Sequence, residues 1–390
     1  MSERKNFPYR LFAPGPVPLS EGVRKALAEP MIHHRSEAFQ GILNESLTWL
    51  RHVFQTSQPV MILTSAGTGA MEAAIINTLS PGDEALFIVS GKFGERWFKM
   101  GQALGLKCHC LEVPWGSAVQ TKDLESSLKK FPQVKAVFCQ VCETSTAVLH
   151  PIKELSGVIR SQNPETLFIV DAMTALGATP LPMDDWQLDV VVAGSQKAFM
   201  LPAGLSFIAL SERAWKAYEI SRSPKFYFDL GPERKSNLGK ETRFSSSVSL
   251  IRGLHCALKE RFVGDELQKS IQRSQSLAQI TRNIFTSFGW QLYSQAPSSS
   301  VTAAVIPEEM RKHKIPSLLL DQFNIFVAGG QDSLKGKIIR VGHLGHITDD
   351  DQIFFALALG QTLKNCGWQL ANSEKVSQVV EDTKLALIHN

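Results

Sequence analysis

Short apolar segments alternate with amphipathic stretches along the chain from about Pro59 onward. The apolar segments are bounded by Gly, Pro or polar residues and are rich in Val, Ile and Phe, which is typical of buried strands. The stretches between them have the apolar spacing of helices. The segments are VMILTS (60–65), EALFIVS (84–90), KCHCLEVP (107–114), KAVFCQV (135–141), TLFIVDA (166–172), LDVVVAGS (188–195) and LSFIALS (205–211). Apolar strands separated by helices predict an α/β fold, with a parallel sheet covered on both faces.

The pattern changes after about Arg261. A long polar helix is predicted over residues 264–289, and the apolar segments VTAAVIP, NIFVAGG and KIIRVGHLG then alternate with helices. The last helix is predicted to begin at Thr348, a residue type that caps helix N-termini, with three Asp residues in its first turn. The stretch up to Ser20 contains FAPGPVPLS, which predicts an irregular arm. We therefore expect three parts, which are an arm (1–20), a large domain (21–262) and a small C-terminal α+β domain (263–390).

Composition excludes several classes of protein. The 390 residues are 44% hydrophobic and 20% charged, and 41 Lys and Arg against 37 Asp and Glu give a net charge of +4. Because no basic block concentrates this charge, we expect no nucleic-acid partner. The apolar runs are far shorter than the roughly 20 residues of a membrane span, and the start, MSERKNFPYRLF, lacks the apolar core of a secretion signal. We expect a cytoplasmic protein, without a membrane partner, whose six Cys are reduced.

Two pairs of cysteines raise the question of a metal site. Cys108 and Cys110 flank His109, and Cys139 and Cys142 have CxxC spacing. Both pairs fall on predicted strands, where residues three apart face opposite sides of the sheet, so the second pair should diverge. We therefore expect no metal site. The HExxH, GxSxG and Walker motifs are absent, which disfavours hydrolases and nucleotidases.

Three polar features follow predicted strands, at the ends where open α/β sheets bind ligands. SAGTGAMEA (65–73) opens a helix, and its small residues would let backbone N–H groups approach an anion. Asp171 ends an apolar run, where a carboxylate needs a partner that favours its charge. Lys197 follows VVVAGS, and a partly desolvated lysine can form a Schiff base. Each alone is also explained as a tight turn or a surface side chain. Together they match what pyridoxal phosphate requires.

Longer motifs make this interpretation specific. They are FAPGPVP, HHRSEAF, LTSAGTGAMEAA, SGKFGERW, ETSTAVLHP, VDAMTALGA, GSQKAFMLPAGLSF and IRVGHLG, and they run through nearly the whole chain. In this combination the sequence resembles the class V, fold-type I aminotransferases of the alanine–glyoxylate and serine–pyruvate group. It is most similar to the branch labelled soluble hydrogenase small subunit. The resemblance implies a large domain with a mostly parallel seven-stranded sheet sandwiched by helices, a smaller C-terminal α+β domain, and a homodimer.

The resemblance also implies roles for single residues. Lys197 would form the Schiff base with pyridoxal 5'-phosphate, and Asp171 would pair with the pyridine nitrogen. Arg340 would bind the substrate carboxylate, with Gly15 at the substrate entrance and Thr144 contacting the cofactor or the substrate. Further cofactor contacts would come from a phosphate cradle, a stacked aromatic ring and a loop near residue 245: Ala66, Gly67, Thr68, Phe93, Gln196, Thr242 and Ser245.

Two departures from the family pattern concern the phosphate. Many relatives have Ser where this chain has Ala66, and the exchange removes one side-chain contact. Near residue 245 many relatives have two prolines that ETRFSSS (241–247) lacks, although Thr242 and Ser245 keep hydroxyl groups there. In the family this loop reaches the cofactor phosphate of the neighbouring subunit. The resemblance therefore implies an active site shared between two copies.

The resemblance thus implies an aminotransferase that moves an amino group from alanine or serine to glyoxylate or pyruvate in a ping-pong reaction. Three alternatives stay open. A cysteine desulfurase typically has His before the lysine and a mobile nucleophilic Cys, whereas this chain has Gln196. A phosphoserine aminotransferase shares the Gln-Lys pair. A non-catalytic or accessory subunit of a larger complex is the third, although such a subunit does not need Lys197, Asp171 and Arg340 together.

Overall fold

A computed structural model describes residues 7–388. The strands are β1 (Arg10–Phe12), β2 (Val60–Leu63), β3 (Glu84–Val89), β4 (Lys107–Glu112), β5 (Ala136–Gln140), β6 (Cys142–Glu143), β7 (Val148–Leu149), β8 (Leu167–Asp171), β9 (Val190–Gly194), β10 (Ser206–Leu210), β11 (Val301–Val305), β12 (Ile325–Gly329) and β13 (Ile338–Gly342). The helices are α1 (Glu21–Ala28), α2 (Glu37–Phe54), α3 (Gly67–Thr78), α4 (Lys92–Ala103), α5 (Thr121–Lys130), α6 (Ile152–Gln162), α7 (Glu212–Ile220), α8 (Leu230–Leu238), α9 (Val248–Arg261), α10 (Glu266–Ser287), α11 (Ile315–Phe323), α12 (Asp349–Asn365) and α13 (Ser373–Ile388). Within these residues no helix is both long and apolar enough to span a membrane.

Seven strands form the central sheet, in the order β2-β10-β9-β8-β5-β3-β4. Each corresponds to one apolar segment of the sequence. All neighbours are parallel except β10, which is antiparallel to β2 and to β9. Alternate residues of β2 pack into two different cores, with Val60 and Ile62 in one and Met61 and Leu63 in the other. The mostly parallel seven-stranded sheet, covered on both faces, is confirmed.

The direction of β10 decides where the functional segments meet. Because β10 is antiparallel to both neighbours, β2 and β9 point the same way as the other parallel strands. The segments that leave β2, β3, β8 and β9 therefore emerge at one edge of the sheet. This edge is where open α/β sheets bind their ligands.

A second sheet has four strands, in the order β1-β12-β13-β11. Its edge strand β1 comes from the N-terminal arm and pairs in parallel with β12. The prediction of an irregular arm up to Ser20 is therefore wrong for Arg10–Phe12. Phe12 is only 1% exposed and packs in the core of this second sheet, so burial and edge pairing order the segment despite the prolines after it.

Two of the helices predicted from the second half of the sequence are present. Thr348 caps α12: its hydroxyl accepts a hydrogen bond from the Asp351 amide, and the Asp351 carboxylate accepts one from the Thr348 amide. However, α12 is not the last helix, because α13 follows it. Helix α10 buries Leu267 in the core of the large sheet and Leu277 in that of the small sheet. Helix α10 therefore links the two cores. The domain boundary predicted at residues 262–263 stays a proposal.

The cysteines are all free thiols. Cys108 and Cys110 lie on β4, at the edge of the large sheet, and burial raises the pKa of both thiols to about 11. Across residues 7–388, no three His, Cys, Asp or Glu side chains come together in a way that could hold a metal ion.

Candidate active site

A cavity of about 100 Å³ lies where the segments after β2, β3, β8 and β9 converge. Eight of the residues predicted to act together line it: Ala66, Gly67, Thr68, Phe93, Thr144, Asp171, Gln196 and Lys197. A larger groove of about 950 Å³ lies at the opposite edge of the sheet, beside the residues that precede β3, β5 and β8. We assign the site to the smaller cavity because it holds a lysine and an acid whose pKa values are both displaced towards neutrality.

Lys197 projects from the turn after β9, under the N-terminal arm. Its Nζ donates a hydrogen bond to the Pro14 carbonyl oxygen at 2.8 Å. A Cβ atom on Gly15 would lie 2.3 Å from Nζ, and the φ of +140° at Gly15 is one that other residues rarely adopt. Part of the Lys197 side chain reaches solvent, but its amine lies deep enough that burial lowers the pKa to about 8. The arm thus holds a lysine that is readily deprotonated.

Asp171 is the last residue of β8 and is 5% exposed. Burial raises its pKa to about 7, against the opposing effects of the Met173 amide, Lys197 and Arg96. Its Oδ1 accepts one hydrogen bond, from the Met173 amide at 2.8 Å. A buried carboxylate with a single backbone donor is stabilised by a cation, and a protonated pyridine nitrogen is such a partner.

The residues predicted to cradle the phosphate, Ala66, Gly67 and Thr68, lie at the start of α3. Ala66 is the N-cap residue, and no side chain caps this helix end. The Gly69 amide donates to the Ala66 carbonyl oxygen at 2.8 Å, so the Gly67 and Thr68 amides are the ones available to bind an anion. A Cβ on Gly67 would lie 2.4 Å from the Met173 sulfur, so a side chain would crowd this wall. Gln196 has a buried Oε1 without a partner. The available backbone amides, the Gln196 side chain at the cavity wall and the acid Asp171 fit pyridoxal phosphate.

Glu143 is a site residue that sequence reasoning missed. Its carboxylate is fully buried and accepts hydrogen bonds from the Phe93 and Gly94 amides, each at 3.0 Å, and from the amide and hydroxyl of Ser145. Glu143 therefore fixes the first turn of α4 and, with it, the Phe93 ring at the cavity. A lone Glu in the apolar stretch AVFCQVCE was the available signal.

Arg340 reaches the site from β13 of the other sheet. Its Nε donates to the Gly329 carbonyl at 2.9 Å, and Nη1 donates to the Thr144 carbonyl at 3.1 Å. Burial lowers its pKa, while the charge of Glu143 acts in the opposite direction. Arg340 is 6% exposed and forms no ion pair with a carboxylate among residues 7–388. The guanidinium is thus anchored beside Thr144, and its charge is available to an anion.

Thr242 and Ser245 are not brought to this cavity. They line a separate small pocket together with Thr64 and Tyr227, and the Thr242 hydroxyl donates to the Phe244 carbonyl at 2.8 Å. Their predicted contact with the phosphate of a neighbouring copy stays a prediction. Arg96, which sequence reasoning also missed, does line the cavity.

Comparison with known proteins is consistent with this geometry. The family profile described as aminotransferase class-V matches residues 22–352. The soluble hydrogenase small subunit of Synechococcus sp. (strain PCC 6716) is 39% identical over 92% of this chain and 94% of its own length. The L-aspartate–glyoxylate aminotransferase of Paracoccus denitrificans is 34% identical over 87% of each chain.

A solved structure extends this likeness to the fold. The alanine–glyoxylate aminotransferase of Nostoc sp. superposes with a TM-score of 0.86 at 28% identity, covering 93% of this chain and 97% of its own. The family match covers far more than half of the sequence, and the strand-end lysine and acid share one cavity. The chain therefore belongs to the class-V aminotransferase family and is a pyridoxal-phosphate-dependent enzyme.

Proposed function

We propose that this enzyme transfers an amino group from alanine or serine to glyoxylate or pyruvate, in a ping-pong reaction. One observation carries the proposal: Lys197 and Asp171 share a cavity, and Arg340 is anchored to its wall through the Thr144 carbonyl. Relatives named for glyoxylate as acceptor support the choice of a small oxo acid. The cytoplasm is our proposed location, on the sequence pattern alone.

Each side chain has a task in this reaction. When bound, pyridoxal phosphate supplies an aldehyde that bonds to amino groups and a ring that takes up electrons from the substrate Cα. Lys197 takes the Cα proton on Nζ; with a pKa of about 8, roughly one such amine in ten is neutral at pH 7. The Pro14 carbonyl orients Nζ. Asp171 holds the proton on the pyridine nitrogen, and Arg340 binds the substrate carboxylate.

A cysteine desulfurase is disfavoured by the state of the nearby thiols. Its nucleophile has to be a thiolate on a mobile segment. Burial raises the pKa of Cys142 to about 12, and it raises that of Cys139 well above its usual value. Both thiols are fixed on strand segments and are 5% exposed or less. A non-catalytic accessory subunit would not need a lysine and an acid with shifted pKa values in one cavity, so Lys197 and Asp171 disfavour it.

A coupled screen tests the proposal directly. Alanine, serine and aspartate would each be offered with glyoxylate, pyruvate and 2-oxoglutarate, and the new amino acid would be quantified. We expect alanine or serine with glyoxylate or pyruvate to give the highest kcat/KM. A protein that binds pyridoxal phosphate but transfers no amino group between any pair would contradict an aminotransferase function.

Arg340→Lys is expected to raise KM about 10- to 100-fold for both the amino acid and the oxo acid. Lysine supplies a point charge but not the planar fork that grips a carboxylate with two hydrogen bonds. Steady-state kinetics with each substrate varied would measure this. Propylamine, which lacks a carboxylate, serves as the control, and its poor turnover should not change. If the wild-type enzyme uses propylamine as well as alanine, Arg340 does not have this role.

We also propose a homodimer with a shared active site. Large apolar side chains are exposed beside the loop of residues 241–247, with Phe226 at 74%, Leu238 at 66% and Tyr227 at 47%. The Tyr227 ring stacks on Phe244 at 5.3 Å, and its hydroxyl contacts the Thr64 carbonyl next to the cradle. An apolar patch continuous with an open phosphate cradle fits a second copy of this chain.

Dilution should therefore release the cofactor together with the partner. If Thr242 and Ser245 reach across to the neighbouring phosphate, cofactor affinity depends on assembly, and the two equilibria are linked. Sedimentation at decreasing concentration, with cofactor absorbance recorded in parallel, would measure both. Thr242→Ala with Ser245→Ala should weaken cofactor retention without separating the subunits. A monomer that keeps its cofactor and full activity would overturn the shared site.

A further inference from the structure

Arg96 lines the cofactor cavity, but no role described above uses it. It lies on α4 one turn after Phe93, and its guanidinium carbon is 5.0 Å from the centroid of the Phe93 ring. The Glu143 carboxylate fixes the first turn of this helix through the Phe93 and Gly94 amides. The position of Arg96 at the cavity is therefore built into the fold and does not come from a loop.

The charge of Arg96 is not neutralised by a neighbouring side chain. Lys92, on the same helix, pairs with Glu95 and Asp332, and Lys99 pairs with Glu95. By contrast, no carboxylate among residues 7–388 lies within ion-pair distance of Arg96. Asp171 lines the same cavity and feels the charge of Arg96, but the two form no ion pair. A guanidinium at a cavity wall, close to an aromatic ring and outside ion-pair distance of a carboxylate, is suited to bind an anionic ligand.

The donors of the predicted phosphate cradle are all uncharged. Its donors are the amides at the start of α3 and the neutral Gln196 side chain, and Ala66 adds no side-chain contact. A phosphate monoester carries between one and two negative charges at neutral pH, so neutral donors alone compensate it poorly. The two helices are also fixed to each other, because the Trp97 indole donates to the Met71 carbonyl at 3.2 Å. This bond holds the residue after Arg96 against the second turn of α3.

We propose that Arg96 binds the phosphate group of the cofactor and supplies the cation of this site. The inference rests on the proposed function, since it requires pyridoxal phosphate in the cavity of Lys197 and Asp171. The cavity lining favours the phosphate over a second carboxylate of the substrate, because it brings Arg96 together with Ala66, Gly67 and Thr68. Thr144, assigned to the cofactor or the substrate, belongs to that lining, whereas Arg340 and Gly15, assigned to the substrate alone, do not.

The experiment compares ligands that differ only in the phosphate. Cofactor-free protein would be titrated with pyridoxal phosphate, pyridoxal and inorganic phosphate, using absorbance for the first two and calorimetry for the third. We expect Arg96→Gln to weaken the binding of pyridoxal phosphate and of inorganic phosphate about 10- to 100-fold, because the substitution removes charged hydrogen bonds to the phosphate. Pyridoxal binding should stay within about twofold of wild type, which also verifies the fold of the variant. Arg96→Lys should recover part of the loss.

Lys99→Gln is the matched control, because it removes one positive charge from the same helix outside the cavity and should leave all three affinities unchanged. Equal binding of pyridoxal phosphate to Arg96→Gln and wild type overturns the inference. An equal loss of affinity for pyridoxal and pyridoxal phosphate in Arg96→Gln also overturns it. So does a variant whose only change is a higher KM for aspartate, because Arg96 would then bind the second carboxylate of the substrate. If the wild type itself does not bind pyridoxal phosphate, the proposed function fails as well, so the two failures are distinguishable.

Discussion

Lys197→Ala is expected to lower the rate of amino transfer by a factor of about 10⁴. Alanine has no amine to bond to the cofactor aldehyde and none to take the Cα proton, and a positioned general base alone contributes about 10²- to 10⁴-fold. Neighbouring structure should persist, because the lysine makes one hydrogen bond, to the Pro14 carbonyl. Single-turnover kinetics with alanine would measure the loss, and methylamine added as an external base should restore part of the rate.

Borohydride reduction identifies the lysine independently of activity. In the reduced wild-type enzyme, peptide mass mapping should find the cofactor on the peptide that contains Lys197. Lys92 and Lys225 are the internal controls, since both are partly exposed amines. Finding the cofactor on either of them, or on no peptide, would contradict the assignment of Lys197.

Asp171→Asn is expected to keep the fold but reduce turnover by about 10²-fold or more. An amide can still accept the hydrogen bond from the Met173 amide. It cannot supply the negative charge that keeps the pyridine nitrogen protonated, so the ring takes up electrons less readily. Steady-state rates with alanine and glyoxylate would measure the effect, with Asp321→Asn as the control on an exposed acid. Turnover within a few-fold of wild type would mean that another group serves the nitrogen.

The same variant should change how stability depends on pH. The pKa of Asp171 is about 7 in the folded protein, above the usual value of 3.8, so the folded state keeps its proton at a pH where the unfolded chain has lost it. The free energy of unfolding of the cofactor-free protein should therefore fall as pH rises from about 4 to 7, by at most about 4 kcal/mol from this group. Urea titrations at several pH values would measure the slope, which Asp171→Asn should reduce and Asp321→Asn should not. An unchanged slope in Asp171→Asn would contradict the raised pKa.

Local sequence information was enough for the seven strands of the central sheet and for Asp171 and Lys197 at their ends. Strand β8 is apolar throughout until Asp171, and α12 begins at the Thr348 cap as predicted. Both depend on residues within a few positions of one another, where side-chain burial and capping chemistry act. The position of Asp171 and Lys197 at the carboxyl edge followed from the strand pattern for the same reason.

Long-range contacts decided what the sequence left open. The antiparallel course of β10 depends on pairing with β2, about 145 positions earlier in the chain. The arm forms β1 because it pairs with β12, which would otherwise be at the edge of its sheet. The residues around Arg10–Phe12 have no local strand pattern that predicts this pairing. Glu143 and Arg96 were missed because their roles depend on their neighbours in space, which the local sequence does not show. Arg340 and the Thr144 carbonyl are in contact although they are 196 positions apart in the chain. The sequence by itself determined the elements of the central sheet and their polar ends. Only tertiary packing decided which of those ends share a cavity, because that depends on contacts between residues far apart in the chain.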